Sequence, residues 1–322
     1  MTLRIEPSAA SCGALIYGAD LSQPHSPAEI DLIRDAWLKH QVIGIHGQEL
    51  QITDLERFAA ALGPDGDDPF IASIAGHPRV VEVRREANET TPVFAEAWHS
   101  DWSFLKFSPA GTLLYGKVIP PVGGDTLFAN QYAAYDALTE AMKAKIADLQ
   151  GIHSARRSYS PGGVYGERDK GRSMAIRYSE KAMATQLHPL VRTHSETGRR
   201  ALFVNLGYTI GIDGMNDAEG TALLSELFAH QSRPEFIYRH RWSPGLLTLW
   251  DNRCVLHTAT GGYQGHQRVL WRITIGERRS PSPFTEGDKD SRPSCEPLNF
   301  TAARYEPCSD ESILVPRAPN TL

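Results

Sequence analysis

Apolar and polar residues alternate over residues 3–16, where Gly13 and Gly18 punctuate turns, and the alternation predicts short strands. Pro27 opens a different pattern, with Ile30, Leu32, Ile33, Ala36 and Trp37 at helical spacing. Val42–Ile45 reads as a short buried strand. A second helix is expected over Ile52–Leu62, ended by Gly63-Pro64, and the acidic stretch 65–68 reads as a turn. Residues 80–83 predict another strand, followed by a charged loop over 84–91.

Beyond His99 the pattern is mainly β. Residues 113–115 predict a strand, Gly123-Gly124-Asp125 a turn, and 126–128 the returning strand. Residues 132–149 carry the periodicity of one amphipathic helix, and 218–229 of another. Further strands are expected at 201–204, 236–238, 246–250 and 269–275. Residues 154–181 are rich in Arg, Ser, Gly and Tyr with weak periodicity, the signature of a mobile lid. Many short strands with glycine turns and a few helices predict a mostly β fold with flanking helices, a jelly-roll sandwich. Residues 4–278 form one domain in this reading. Residues 279–322, rich in Pro, Ser and charge, form a poorly packed C-terminal extension.

Composition narrows the function classes. A 41% hydrophobic content supports a sizeable core, and a net charge of -5 offers no basic footprint for nucleic acid. No apolar run reaches the roughly 18–20 residues needed to span a bilayer. The first residues lack a signal-peptide core, so a cytoplasmic protein is expected, with assembly of identical chains left open. Cys12, Cys254, Cys295 and Cys308 form no CxxC pair, which removes a zinc ribbon. Cys254 reads as a buried thiol, and Cys295 and Cys308 are expected to stay reduced.

The candidate chemistry begins at Trp98-His99-Ser100-Asp101. Residues two apart on a strand share a face, so His99 and Asp101 can reach one cation. A second strand-like run, 250–256, leads into His257. Two imidazoles and one carboxylate make the facial arrangement of non-haem iron(II) oxygenases. Taken alone, an HxD motif is common, and a strand-end histidine is usually a plain structural residue. Downstream, Arg268 and Arg272 lie four apart on one predicted strand and so share a face. Two buried guanidiniums are costly unless each meets an anion, which points to two anionic ligands. A surface strand carrying two solvated arginines is the plainer alternative.

At these residues the chain resembles the TauD/TfdA family, the taurine and 2,4-dichlorophenoxyacetate dioxygenases that use iron(II) and 2-oxoglutarate. The resemblance covers residues 4–278. It runs through Gly13-Ala14, Gly18-Ala19-Asp20-Leu21, Trp98-His99-Ser100-Asp101 with Phe104, Pro109-Ala110 and Gly123-Gly124-Asp125-Thr126. It continues through residues 133–138, His188-Pro189-Leu190-Val191, Trp250-Asp251-Asn252-Arg253, His257, Arg268 and Arg272. The resemblance implies a double-stranded β-helix (jelly-roll, cupin-like) core. It implies His99, Asp101 and His257 as iron ligands, Thr126 and Arg268 as the clamp on 2-oxoglutarate, and Arg272 facing an anionic substrate. Trp250, Asp251 and Asn252 would support the ligand strand, and Arg253 would be a structural ion-pair partner.

The implied reaction consumes 2-oxoglutarate and O2, releases succinate and CO2, and hydroxylates a small organic anion such as an aryloxyalkanoate, sulfonate or sulfate ester. Retention of Asp101 argues against a halogenase. The histidine with which the taurine branch grips a sulfonate is replaced here by the acidic stretch 66–70, whereas 84–89 is closer to the aryloxyalkanoate branch. Trp102, Phe104 and Phe70 are candidates for an aromatic substrate wall, or ordinary core. Asp67 and Asp68 read as a solvated turn. An Asp68 facing the pocket would instead favour a substrate bearing a cation beside its anion. Two other readings remain at this point: a zinc-dependent hydrolase on the same triad, and a non-catalytic jelly-roll binding protein.

Overall fold

The helix Pro27–His40 starts where its sequence says it should. Ser26 and Glu29 cap each other reciprocally, with Pro27 in the first turn. The computed structural model describes residues 3–278. The helices Pro27–His40 and Ile52–Leu62 cover one face of an eight-stranded sheet through Ile33, Trp37, Leu55 and Phe58. These meet Ile43, Ile45, Leu113, Leu247, Leu249 and Ile273 of the sheet, each fully buried. Each such side chain contributes about 1.5–3 kcal/mol on leaving water.

The sheet runs Arg4–Pro7, Ala14–Tyr17, Val42–Ile45, Leu247–Asp251, Gly111–Val118, Arg268–Ile275, His77–Arg85 and Ser73–Ile74. A three-stranded sheet runs Ile237–His240, Thr126–Asn130 and Val255–Ala259. Phe128 and Val255 of this sheet pack on Leu114, Trp250 and Leu270 of the large one, closing the jelly-roll core. The expected fold class is the one observed.

Two local expectations need correction. Strand Thr126–Asn130 does not return against Gly111–Val118 but pairs with Val255–Ala259 and Ile237–His240. Gly123 (φ 66°) and Gly124 (φ 71°) turn the chain across to the other sheet. A side chain at Gly123 would strike the backbone of Gly262. The single helix expected over 132–149 is two helices, Gln131–Asp136 and Glu140–Ile146. Thr139 breaks it by capping the second, accepting from the N–H of Met142. The strands Gln150–Ser154, Thr185–Pro189, Val191–Thr193 and Thr209–Ile212 lacked a readable alternation: the first and last bury residues on both faces, and the other two bury none fully. The extension 279–322, with Cys295 and Cys308, lies outside the described residues. Cys12 and Cys254 are buried free thiols. Among the described residues no helix is long and apolar enough to cross a membrane.

Candidate metal centre and its pocket

The HxD segment lies along the edge of the three-stranded sheet. His99 and His257 form an antiparallel bridge there. Asp101 follows two residues on, and its Oδ1 lies 3.7 Å from His99 Nε2 and 3.8 Å from His257 Nε2. Ligand atoms of the three side chains all fall within 4.8 Å of one another, and all three residues are buried. His99 Nδ1 lies 2.8 Å from the carbonyl of Ala97. Donation there leaves Nε2 unprotonated and facing the other two groups. The donor set of two nitrogens and one carboxylate oxygen fits iron(II) with open positions.

Electrostatics favour the metal-ready protonation states. Burial lowers the pKa of His99 below the ordinary imidazole value, and burial with the neighbouring His99 lowers that of His257 to about 3. Burial pushes Asp101 up, but Arg272, His257 and His99 together outweigh it and hold the carboxyl at about 2. Asp101 Oδ2 accepts from Thr112 Oγ1 at 2.6 Å, and Thr112 accepts in turn from Asn252 Nδ2 at 2.9 Å. Trp250 donates to Asn252 Oδ1 and packs its ring 4.8 Å from that of His257. Thus Trp250 and Asn252 support the ligands as expected, and Thr112 was missed because a strand threonine carries no signal by itself.

Asp251 faces the other way. It binds Arg253 and His194, and Arg253 also pairs with Glu196. His194, Asp251 and Cys254 come close enough to hold a metal. The Arg253 guanidinium already neutralises Asp251, and His194 Nδ1 accepts from the N–H groups of Glu196 and Thr197, so the cluster is structural.

Arg268 and Arg272 both point inward from strand Arg268–Ile275 and are buried. Arg268 lies 5.8 Å over the rings of both Trp242 and Tyr263, and its Nη2 donates to Gly124 O. Its Nε is buried without a partner, a donor awaiting an anion. Thr126 Oγ1 accepts from Trp242 Nε1 at 3.0 Å, so its own hydroxyl proton remains to be given. Trp242 and Tyr263 had no sequence signal beyond being aromatic.

Arg272 donates through Nη1 to Asp68 Oδ1 at 2.8 Å. Its Nη2 sits 2.9 Å from Asp101 Oδ1, but its N–H bonds are out of line for a hydrogen bond. Asp68 is therefore neither a solvated turn residue nor a carboxylate free to meet a substrate cation. Its oxygens are taken by Arg272, Trp102 Nε1 and Thr274 Oγ1. The cavity beside the triad is lined by Arg272, Trp102, Phe94, Tyr159, Tyr165 and Tyr208, among others. Phe104 and Phe70 do not line it. Phe104 packs edge-on against Tyr208, and Phe70 stacks on Tyr159 at 4.8 Å. The three tyrosines were missed because their elements meet the site only through long-range packing.

A model of the Taurine catabolism dioxygenase TauD, TfdA family matches residues 4–274. The chain belongs to this family. It is 32% identical to an (S)-phenoxypropionate/alpha-ketoglutarate-dioxygenase of Sphingobium herbicidovorans over 84% of this chain and 94% of that one. An alpha-ketoglutarate-dependent sulfate ester dioxygenase of Pseudomonas putida is 30% identical, over 85% and 90% of the two chains. The solved structure of AAD-2 in complex with Mn(II) and N-oxalylglycine superposes with a TM-score of 0.70 at 30% identity, covering 87% of this chain and 99% of that one. As a TauD/TfdA protein the chain is an iron(II)- and 2-oxoglutarate-dependent dioxygenase, and the zinc-hydrolase and binding-protein readings give way.

Proposed function

We propose that this TauD/TfdA dioxygenase hydroxylates an aryloxyalkanoate at the carbon carrying the ether oxygen. The hemiacetal or hemiketal so formed breaks to a phenol and an oxo-acid. The observation that carries the reading is Nη2 of Arg272, which makes no hydrogen bond although it pairs by charge with Asp101 at 2.9 Å, in a cavity walled by aromatic rings. A carboxylate on that nitrogen and an aryl group among Phe94, Trp102, Tyr159, Tyr165 and Tyr208 would place the intervening carbon by the metal. The relatives that act on a phenoxypropionate and on a sulfate ester support an anionic substrate.

His99, Asp101 and His257 hold iron(II), which with 2-oxoglutarate and O2 supplies C–H hydroxylation and yields succinate and CO2. Arg268 and Thr126 hold the distal carboxylate of 2-oxoglutarate by charge-assisted hydrogen bonds. The His99–Ala97 hydrogen bond fixes one imidazole, and Thr112 with Asn252 fixes the carboxylate. Burial of all three ligands confines water at the reacting centre to the small cavity beside them.

The cavity by the triad is only about 40 Å³. A cavity known to take benzene measures roughly 150 Å³. Tyr159 and Tyr165 therefore move when substrate enters, which makes the 155–185 segment a lid. Arg172 ties that segment to Pro92, and Ser173 ties it to Glu89 at 2.9 Å. The catalytic domain is 4–278, and buried reduced Cys12 and Cys254 fit a cytoplasmic setting.

The test is succinate formation under air with iron(II) and ascorbate, against aryloxyalkanoates, alkyl sulfates and sulfonates. Succinate in step with phenol release from the aryloxyalkanoates, absent in His99→Ala, is expected. Best turnover with a sulfonate or alkyl sulfate would overturn the substrate assignment.

A further inference from the structure

Trp102 follows the candidate ligand Asp101 directly and holds φ 47°, a conformation costly for any residue with a side chain. Its ring is fully buried, and its indole N–H donates to Asp68 Oδ1 at 2.9 Å. The same oxygen takes Nη1 of Arg272 at 2.8 Å, and the Arg272 guanidinium lies 4.9 Å over the Trp102 ring. One carboxylate thus anchors both the arginine and the aromatic wall. Asp68 comes from the loop before strand Ser73–Ile74, so nothing but this contact relates it to the site in sequence.

The charge count gives the contact a consequence. With iron(II) and 2-oxoglutarate loaded, the metal, Asp101, Arg268 and the co-substrate cancel one another. Arg272 and Asp68 cancel as well, so the site is neutral before any substrate enters. Without Asp68, a singly charged substrate would just balance Arg272. With it, each negative charge on the substrate goes uncompensated.

Resting on the reading of Arg272 as the substrate's anion partner, we propose that Asp68 is a specificity-determining and positioning residue. It takes one edge of the Arg272 guanidinium, leaves the substrate only the Nη2 that sits beside Asp101, and makes the site select a monoanion over a dianion. A carboxylate needs only that single edge and one charge. A dianionic phosphonate wants both edges and two.

The test is equilibrium binding to the iron(II)–2-oxoglutarate protein under nitrogen, read by the metal-to-keto absorption band and by tryptophan fluorescence. The probes are phenoxyacetate, phenoxymethylphosphonate at pH 8 and phenoxyacetamide. Asp68→Asn keeps an oxygen for Trp102 and Arg272, removes the charge, and puts an amide NH2 where an oxygen accepts from Thr274 Oγ1. It is expected to tighten phenoxyacetate roughly a hundredfold and the phosphonate more, and to leave the amide within about twofold, as one charge about 6 Å away across a protein site would do. In Asp68→Asn/Arg272→Met the gain of the two anions over the amide is expected to be lost. Equal changes for all three probes would overturn the proposal, as would an unchanged ratio of carboxylate to phosphonate affinity. If the wild-type protein binds none of the three, the aryloxyalkanoate reading falls. Asp68→Asn gaining the two anions would then still support the role of Asp68, and its binding none of them would sink that too.

Discussion

His99 and His257 each donate a main-chain N–H to the other's carbonyl, at 3.0 and 2.8 Å, and their rings lie 4.1 Å apart. Two residues that exchange both bonds across an antiparallel pair project their side chains on one face. The convergence of the two imidazoles is thus built by backbone pairing, and Asp101 joins them because it lies two residues along the same edge.

Loss of a ligand should separate chemistry from folding. His99→Ala and Asp101→Gly are each expected to lower iron-dependent succinate formation at least a hundredfold. Thermal unfolding of the metal-free protein should confirm that the fold persists. Unchanged turnover in Asp101→Gly would remove that carboxylate from the ligand set.

Thr112 orients Asp101 without touching the metal position. Thr112→Val keeps the shape but removes the hydroxyl shared with Asp101 Oδ2 and Asn252. A fall of about 10–100-fold in iron(II) affinity is expected, since groups holding a metal ligand carry effects of that size. Iron(II) titration followed by tryptophan fluorescence measures it.

In the proposed reading Arg268 and Arg272 divide the two anions between them. Arg268→Ala should raise the KM for 2-oxoglutarate by an amount corresponding to about 2–5 kcal/mol, the cost of losing one partner of a buried charged pair. Its effect on the primary-substrate KM should be far smaller, and Arg272→Ala should show the reverse. Equal effects on both constants in either variant would end the division. Gly124→Ala should resemble a weaker Arg268→Ala, because the residue holds φ 71° and its added methyl would sit 3.3 Å from Arg268 Nε.

Asp251 contributes to stability in a pH-dependent way. Burial raises its pKa, but Arg253 and His194 more than offset this and hold the carboxyl well below its ordinary value. Stability from that pairing is therefore fully present above about pH 4 and is lost as pH falls toward the lowered folded-state pKa. Asp251→Asn leaves the buried Arg253 with only part of its counter-charge, and is expected to cost about 3–5 kcal/mol at pH 7. Urea unfolding at pH 7 and pH 3 measures both effects, and the deficit should shrink at the lower pH.

The lid reading predicts a local effect from Arg172→Ala. The Arg172 side chain binds Asp169 and the carbonyl of Pro92. Its loss should speed proteolytic cleavage within 160–172 and raise the substrate KM a few-fold, with little change in global stability. Limited proteolysis with and without substrate checks this, and equal cleavage rates in both proteins would argue against a lid.

Sequence alone determined the local elements and the chemical alphabet of the site. Ser26 with Glu29, and Gly63-Pro64, set helix limits because caps and breakers act on near neighbours. The period-two spacing of His99 and Asp101, and the spacing of Arg268 and Arg272, put each pair on a shared face for the same reason. Tertiary structure decided what those faces meet. No local signal told Thr126–Asn130 to pair with Val255–Ala259 in place of its nearer neighbour, because strand partners are chosen by sheet packing across the whole chain. Thr112, Trp242, Tyr159 and Tyr208 became site residues only when distant strands and loops closed around the triad. Asp68 changed meaning most. In sequence it is one acid in an acidic turn, and in space it is the half-buried counter-charge of Arg272, since a carboxylate's role is set by the charges folded against it.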